Sequence, residues 1–264
     1  MLDLHCHILP SIDDGAQDLD TSLAMLKIAV ESGTVGIVAT PHAIEGKWLP
    51  TWHEILEGCA RLSAAGQTMG LTIPIYPGAE VFVHMDILDQ IKGPGPYCIN
   101  GSRYMLVELP AREIPRFTEE FFFTLQARGI TPILAHPERH PEIAKHPEIL
   151  KGWIGKGILV QINASSITGR MGERAMKTAE YLLKSNMVHC IGSDAHGVRT
   201  RKPDLRKAAE KIKLLVGEAK VQELLVTNST KVIQNEDVDV PEVELQHFHG
   251  KASLLKTLLG GFWK

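Results

Sequence analysis

The sequence is short of several things, and each shortage removes a class of function. Its 264 residues hold only four cysteines, Cys6, Cys59, Cys98 and Cys190, with no C-x-x-C spacing. They read as reduced cytosolic thiols, not as a disulfide framework or a sulfur-ligated metal site. None of them begins a C-x5-R loop, so thiolate-based phosphoryl chemistry is not expected. Positive charge is not in surplus: 28 Lys+Arg face 31 Asp+Glu, a net charge of −3, which leaves no footprint for nucleic acid. No apolar run approaches the ~18 residues of a membrane span. The N-terminus carries no basic, apolar leader, no phosphate loop of the form G-x-x-x-x-G-K is present, and there is no internal sequence repeat. These absences predict a soluble, cytoplasmic chain whose partner recognition is local.

What is present is a rhythm. Apolar runs at residues 2–6, 35–40, 71–79, 104–107, 131–135, 158–162 and 188–192 read as short buried strands. Helical patterns separate them: one capped by Asp18 or Asp20 and ended by Gly33, then residues 51–65, 115–128 and 172–185, and a last region to about Val226. Strand and helix alternating about seven times argue for an α/β fold with parallel strands. An apolar content of 44% suits a full core, and α/β barrels of this length form one domain. Regularity stops near Asn235. The expectation is a barrel over 1–235 and an acidic loop with a C-terminal helical tail over 236–264, the tail docked on the barrel or on a second subunit.

The chemistry-bearing residues fall where the strands end. LDLHCHILPSIDD supplies His5 and His7, two apart and so on one side of a strand, with Asp13 and Asp14 close behind. Either aspartate can serve; Asp14 is favoured as the ligand, Asp13 as a cap for the turn at Gly15. The later strands end on His42, Glu80, Glu108, His136, and Asp194 with His196. Five imidazoles and four carboxylates at one barrel mouth exceed what one ion takes, which suggests two or three ions. Nitrogen and oxygen donors suit manganese, iron or zinc, and a carboxylate such as Glu80 can bridge ions ~3.5–4 Å apart. Such ions activate a shared water and clamp phosphoryl oxygens, and Arg139 and Arg201 are placed to add guanidinium forks. A metal-dependent phosphoesterase is expected, with Arg139, Arg201, Asp194 and His196 closest to the chemistry.

Plainer readings stand beside these. His189, inside a strand, reads as a core histidine, and His53, His84, His140 and His146 as ordinary helix or loop residues. Glu138 and Arg139 can pair at a helix start, and Arg201 can be a solvated charge. Asn163 and Ser165 either line the mouth or form a turn. Cys6 faces away from its histidine neighbours into the core. Trp48, Trp52 and Phe82 can stack on an aromatic substrate or simply fill space. A second H-x-H, His247 and His249, is not taken as a site.

The segments DLHCH, ATPH, GAE, VELP, AHPER and GSDAH resemble the polymerase and histidinol phosphatase (PHP) superfamily over about residues 1–230. The finer phrasing, DLHCHILPSIDDGAQD with TPH, YPGAEV, LAHPERH and INASSITG, is similar to the bacterial manganese-dependent protein-tyrosine phosphatases of capsule and exopolysaccharide operons. The resemblance implies a distorted (β/α)7 barrel with three metals. His5, His7, Glu80 and Asp194 would hold one ion, Glu80, Glu108 and His136 a second, and Asp14, His42 and His196 a third. Arg139 and Arg201 would bind phosphate. The implied substrate is phosphotyrosine in the C-terminal tail of a bacterial tyrosine kinase that controls polysaccharide export. A small-molecule phosphatase of histidinol-phosphate type and a non-catalytic metal-binding module are the alternatives. The stretch from about Pro241 aligns with nothing.

Overall fold

Runs of aliphatic residues buried on both faces make parallel strands, and the helix that follows each one covers a face. In the computed structural model, which describes residues 1–245, the order is β1 (Leu2–Cys6), α1 (Leu19–Glu31), β2 (Gly36–Ala39), β3 (His42–Ala43), α2 (Trp52–Thr68), β4 (Ile75–Pro77), β5 (Glu80–Phe82), β6 (Tyr104–Glu108), α3 (Thr118–Ala127) and β7 (Thr131–Ala135). There follow α4 (Pro141–Lys145), α5 (Glu148–Ile154), β8 (Leu159–Asn163), α6 (Ala164–Ile167), α7 (Glu173–Lys184), β9 (Cys190–Gly192), α8 (Arg206–Val216), α9 (Glu218–Gln222) and α10 (Asn228–Ile233). The second H-x-H and the expected terminal helix over 251–264 lie outside the described residues.

The pairings of these strands are parallel. β1, β2 and β4 form one sheet, and β3, β5, β6, β7, β8 and β9 a second, in those orders. The strand expected over 35–40 stops at Ala39 and resumes as β3 after Pro41. The one expected over 71–79 is confined to Ile75–Pro77 and resumes at Glu80. Proline has no N–H to give a ladder, which accounts for a break at each place. Pairing nevertheless carries across, with Glu80 N–H donating to the Pro41 carbonyl at 3.0 Å. The nine strands thus act as seven staves of a distorted (β/α)7 barrel. Its seam is a parallel bridge of Cys6 with Ala195, where His7 N–H donates to the Ala195 carbonyl at 2.9 Å and Asp194 N–H to the His5 carbonyl at 2.7 Å.

Alternation along the strands sorts the interior. Leu4, Leu106, Ile133 and Leu159 form one buried cluster with Tyr104, and Val232 and Ile233 of α10 belong to it. Met105, Val107, Leu134 and Val160 belong instead to the larger cluster shared with the helices, as do Phe121, Leu125 and Leu182. Burying one such Leu or Phe contributes about 1.5–3 kcal/mol. Further up β8 the residues in phase with Leu159 are Gln161 and Asn163, both fully buried. The barrel is therefore apolar at its base and polar toward the strands' C-terminal ends.

The helices begin as their caps dictate. Asp18 accepts from Thr21 N–H at 2.7 Å, and Thr51 with Glu54 makes a reciprocal capping box on α2. The last helical region runs past the expected Val226 to Ile233, interrupted after α8 by Gly217 at φ 93° and then by a π turn at Glu223–Thr227. Residues 235–238 are tied to the base of β6. Arg103 donates to the Asn235 carbonyl at 2.8 Å and to Asp237 at 2.6 Å, and Tyr104 Oη donates to the Glu236 carbonyl at 2.6 Å. Among the described residues no helix is long and apolar enough to cross a membrane.

Candidate metal centre

β1 ends with His5 and His7 aimed at one point, their Nε2 atoms 3.1 Å apart. Glu80 Oε2, from the start of β5, lies 3.4 Å from His5 Nε2 and 3.3 Å from His7 Nε2. Asp194 Oδ1, beyond the end of β9, is 3.5 Å from each of the same two atoms. On β3, His42 turns Nδ1 to Glu80 at 3.1 Å and Nε2 to Asp14 at 3.5 Å. His136, past β7, sits 2.8 Å from Glu80 Oε1 and 3.6 Å from Glu108 Oε1. His196 Nε2 is 3.3 Å from Asp14 Oδ1. The nine strand-end residues read from the sequence are thus brought into a single cluster.

Three donor groups within it have the spacing of an ion's coordination shell: His7, Asp14, His42 and His196; His5, His7 and Glu80; and His42, Glu80 and Glu108. Several of their atoms point at one another without completing hydrogen bonds. Glu80 Oε2, His42 Nδ1 and His196 Nε2 are buried and lack a hydrogen-bond partner among the described residues. Buried polar atoms are rarely left so, and facing lone pairs of imidazole and carboxylate are what a cation satisfies. The donor set therefore fits hard or borderline divalent ions, with no sulfur among the ligands.

A second layer fixes the donors. Asp13 Oδ2 accepts from His7 Nδ1 at 2.7 Å and from His42 N–H at 2.9 Å, so Asp13 orients the imidazole while Asp14 faces the cluster. Gln161 Oε1 is 3.0 Å from His5 Nδ1, and Gln161 Nε2 donates to Asn163 Oδ1 at 2.9 Å. Asn163 Nδ2 donates in turn to Asp194 Oδ2 at 2.6 Å. Asp3 clasps the seam, accepting from Ser193 N–H at 2.8 Å; burial pushes its carboxyl up to about 6. Sequence reading missed Gln161 and Asp3. The available signal was a polar residue in an otherwise apolar strand, LDLHC and LVQIN, which is costly unless partnered.

Close approach and strain mark the same place. A Cβ on Gly192 would come within 2.4 Å of His5 Cβ, and one on Gly15 within 2.2 Å of the His7 carbonyl oxygen. His136 (φ 33°) and Asp194 (φ 51°) are non-glycine residues held in the left-handed region, a conformation that concentrates at functional sites. Arg139 Nη1 donates to Asp194 Oδ2 at 2.8 Å, and Arg201 donates to the Asp194 carbonyl and to Oδ1. Arg139 therefore does not pair with Glu138, which is buried and accepts from Asn163 N–H at 3.1 Å.

Charge in the cluster is strongly polarised. Burial pulls His7 and His136 down, but the carboxylates outweigh it. Asp13 and Glu80 hold His7 up at about 10, and Glu80, Asp194 and Glu108 hold His136 up at about 9. Asp194 and Glu80 sit far below the usual carboxylate range, because neighbouring imidazoles outweigh their burial. His196 is pushed down by burial and by His7. Such a centre favours added positive charge at the carboxylates.

The mouth is accessible: Asp14 is 47% exposed, and the side chains of Arg139 and Arg201 are 32% and 29% exposed. Trp48 stacks on His42, centroids 5.4 Å apart and planes 9° from parallel. Trp52 packs on Tyr97, and no ring contact joins Phe82 to the cluster among the described residues. Cys6 is buried in the core. His189 is a core histidine whose Nδ1 accepts from Val160 N–H at 3.0 Å, and His53, His84 and His146 are exposed beside carboxylates.

Relatives carry the same architecture. Tyrosine-protein phosphatase YwqE of Bacillus subtilis is 31% identical over 238 residues, covering 90% of this chain and 93% of that protein. Tyrosine-protein phosphatase CpsB of Streptococcus pneumoniae is 28% identical, covering 89% and 99%. A chain from crystal structures of YwqE and CpsB, described as metal-dependent tyrosine phosphatases, superposes with a TM-score of 0.86 at 29% identity, over 93% of this chain and 99% of that one. Histidinol phosphate phosphatase of Lactococcus lactis shares the fold alone, with a TM-score of 0.54 at 16% identity, over 86% and 97%. The family model for capsular polysaccharide synthesis, CpsB/CapC, matches residues 1–234. The chain belongs to the CpsB/CapC family.

Proposed function

We propose that this chain is a cytoplasmic, metal-dependent protein-tyrosine phosphatase of capsular polysaccharide synthesis, acting on a bacterial tyrosine kinase through its phosphorylated C-terminal tail. The observation that carries the reading is the convergence of imidazole and carboxylate donors beneath two part-exposed guanidinium groups, Arg139 and Arg201. His5, His7, Glu80 and Asp194 would hold one ion, Glu80, Glu108 and His136 another, and Asp14, His42 and His196 a third. Manganese suits these hard and borderline donors, and iron or zinc would also be accepted. When bound, the ions supply an activated water near neutral pH and neutralise phosphoryl oxygens.

The chain's own residues do the rest. Arg139 and Arg201 lie against Asp194 with part of each guanidinium still open to solvent, so each can share its N–H groups with an arriving phosphoryl group. Their fork geometry orients the phosphate. Trp48 lies flat against His42 with the Lys47 ammonium 3.6 Å from its ring centroid, so it offers the tyrosine ring an indole edge beside a positive charge. Phenol has a pKa of ~10, so the leaving oxygen needs less protonation than an alkyl alkoxide. The half-exposed Asp14 leaves the mouth open enough for a side chain still attached to a protein, whereas histidinol phosphate calls for a deep polar pocket. The four cysteines are free and buried, in keeping with a reducing compartment.

The test is phosphate release by chelator-stripped protein after Mn²⁺ is returned, from a phosphotyrosine peptide and from histidinol phosphate. Metal-dependent release with strong preference for the peptide is expected. Preference for histidinol phosphate overturns the substrate, and no release from either overturns the enzyme reading. In the same assay Arg139→Ala should lower kcat/KM at least ~100-fold, the loss of a charge-assisted, bidentate contact to the transition state.

A further inference from the structure

A second recess lies beside the metal centre, and the phosphatase chemistry leaves it unused. It is a small, open recess, and Ser165, Thr168, Arg170, Lys202, Asp204 and Lys207 are among its lining residues. Its walls are continuous with the catalytic mouth. Ala164 follows Asn163 in the chain, and Ser193 precedes Asp194. Thr200 lines both this recess and the one containing Asp14, His196 and Arg201. The INASSITG stretch, which the metal centre uses only through Asn163, forms one side of it.

The recess is basic in a chain whose net charge is −3. Lys202 is neutralised by Asp204 at 3.1 Å. Arg170 and Lys207 are exposed, and among the described residues neither side chain has an ion-pair or hydrogen-bond partner. The Ser165 hydroxyl is likewise uncommitted, whereas Thr168 Oγ1 donates to the Ala164 carbonyl at 3.0 Å. Two unpaired cations and a free hydroxyl around one small recess favour an anion with several acceptor oxygens. Thr200 is next to Arg201 in the chain and Ser193 is next to Asp194, so the recess adjoins the residues proposed to meet the phosphate. Backbone neighbours lie about 5 Å apart and an extended chain advances about 3.3 Å per residue, so a bound peptide would bridge the two recesses within roughly two to four residues.

We infer that Arg170, Lys207 and Ser165 form a specificity subsite for a second anionic group of the substrate, a carboxylate or a second phosphate, two to four residues from the phosphotyrosine. The inference rests on the tyrosine-phosphatase reading above. It makes the enzyme selective for acidic or multiply phosphorylated segments.

The experiment measures kcat/KM of the Mn²⁺-loaded full chain on phosphotyrosine peptides with neutral flanks. Peptides carrying one Asp, or one phosphoserine, at each position up to about four residues on either side are run beside them. A charge-assisted contact of this kind should raise kcat/KM about tenfold at one or two positions. Asp effective alone identifies the carboxylate, and phosphoserine effective alone identifies the phosphate. In Arg170→Glu/Lys207→Glu the ratio of acidic to neutral peptide should fall to unity or below. A second readout needs no variant: the wild-type preference should shrink as salt rises from about 0.05 to 0.5 M, because exposed charges are screened. Turnover of all peptides at one rate overturns the inference, as does a preference that survives both charge reversal and salt. Absence of turnover on every phosphotyrosine peptide overturns the phosphatase reading and this inference with it.

Discussion

Asp13 receives N–H groups from His7, His42 and Gly15, at 2.7, 2.9 and 2.9 Å, and so belongs to the scaffold under the proposed ligands. Asp13→Ala should weaken metal affinity about 10–100-fold while excess metal restores most of kcat, because outer-layer partners orient ligands without replacing them. Titration of activity against Mn²⁺ checks this; unchanged affinity would remove Asp13 from that role. His189 shows the opposite case, an imidazole buried for packing. Burial, aided by Lys220, holds it down to about 4. The unfolded chain titrates near 6.5, so it takes up the proton first as pH falls. The stability His189 gives is full above about pH 6.5 and is lost progressively toward pH 4, on the order of 3 kcal/mol in all. Urea unfolding of His189→Gln should therefore show a flatter pH slope across that window than the parent. The nine proposed donors were legible in the sequence because they stand at or soon after the ends of apolar runs; Gln161 and Asp3 were not, because only the three-dimensional register shows which buried polar side chain meets which histidine.

Strand existence was readable from apolar runs, but strand continuity was not. Pro41 and the Pro77-Gly78 pair split two expected strands, and a run such as LTIPIYPGA shows apolar character without showing where a missing N–H ends the ladder. The splits also serve the site: after each break the chain restarts on a proposed ligand, His42 on β3 and Glu80 on β5, and these two are register partners. Helix ends were more legible, since caps are local. At α2, Thr51 accepts from Glu54 N–H at 3.2 Å and Glu54 accepts from Thr51 N–H at 2.7 Å. Thr51→Ala should cost about 1 kcal/mol in urea unfolding with little change in Mn²⁺ affinity. A large loss of affinity instead would mean that α2 positions the adjoining His42 and Trp48 loop.

At the scale of the whole molecule the barrel closes where its donors lie. The 3.6- and 2-residue patterns announce an α/β barrel, but they do not announce the seam, which depends on a single bridge between Cys6 and Ala195 and on the Asp3 clasp to Ser193. The proposed ligands sit on both sides of it: His5 on β1 and His7 just past it, Asp194 and His196 beyond β9. Ions bound between them would cross-link first and last strands, so metal should stabilise this seam more than the continuous ladder of β6, β7 and β8. Ligand present at 100 times its dissociation constant stabilises by about 2.7 kcal/mol, which for a domain of this size is a fall in Tm of roughly 5–10 °C on removal. Hydrogen exchange should locate the loss, with faster exchange on chelation at residues 2–7 and 190–196 and little change at 104–108 and 131–135. Uniform acceleration across all these strands would mean that the ions stabilise the fold globally, and no change in either measurement would mean that the seam is held by its protein contacts alone.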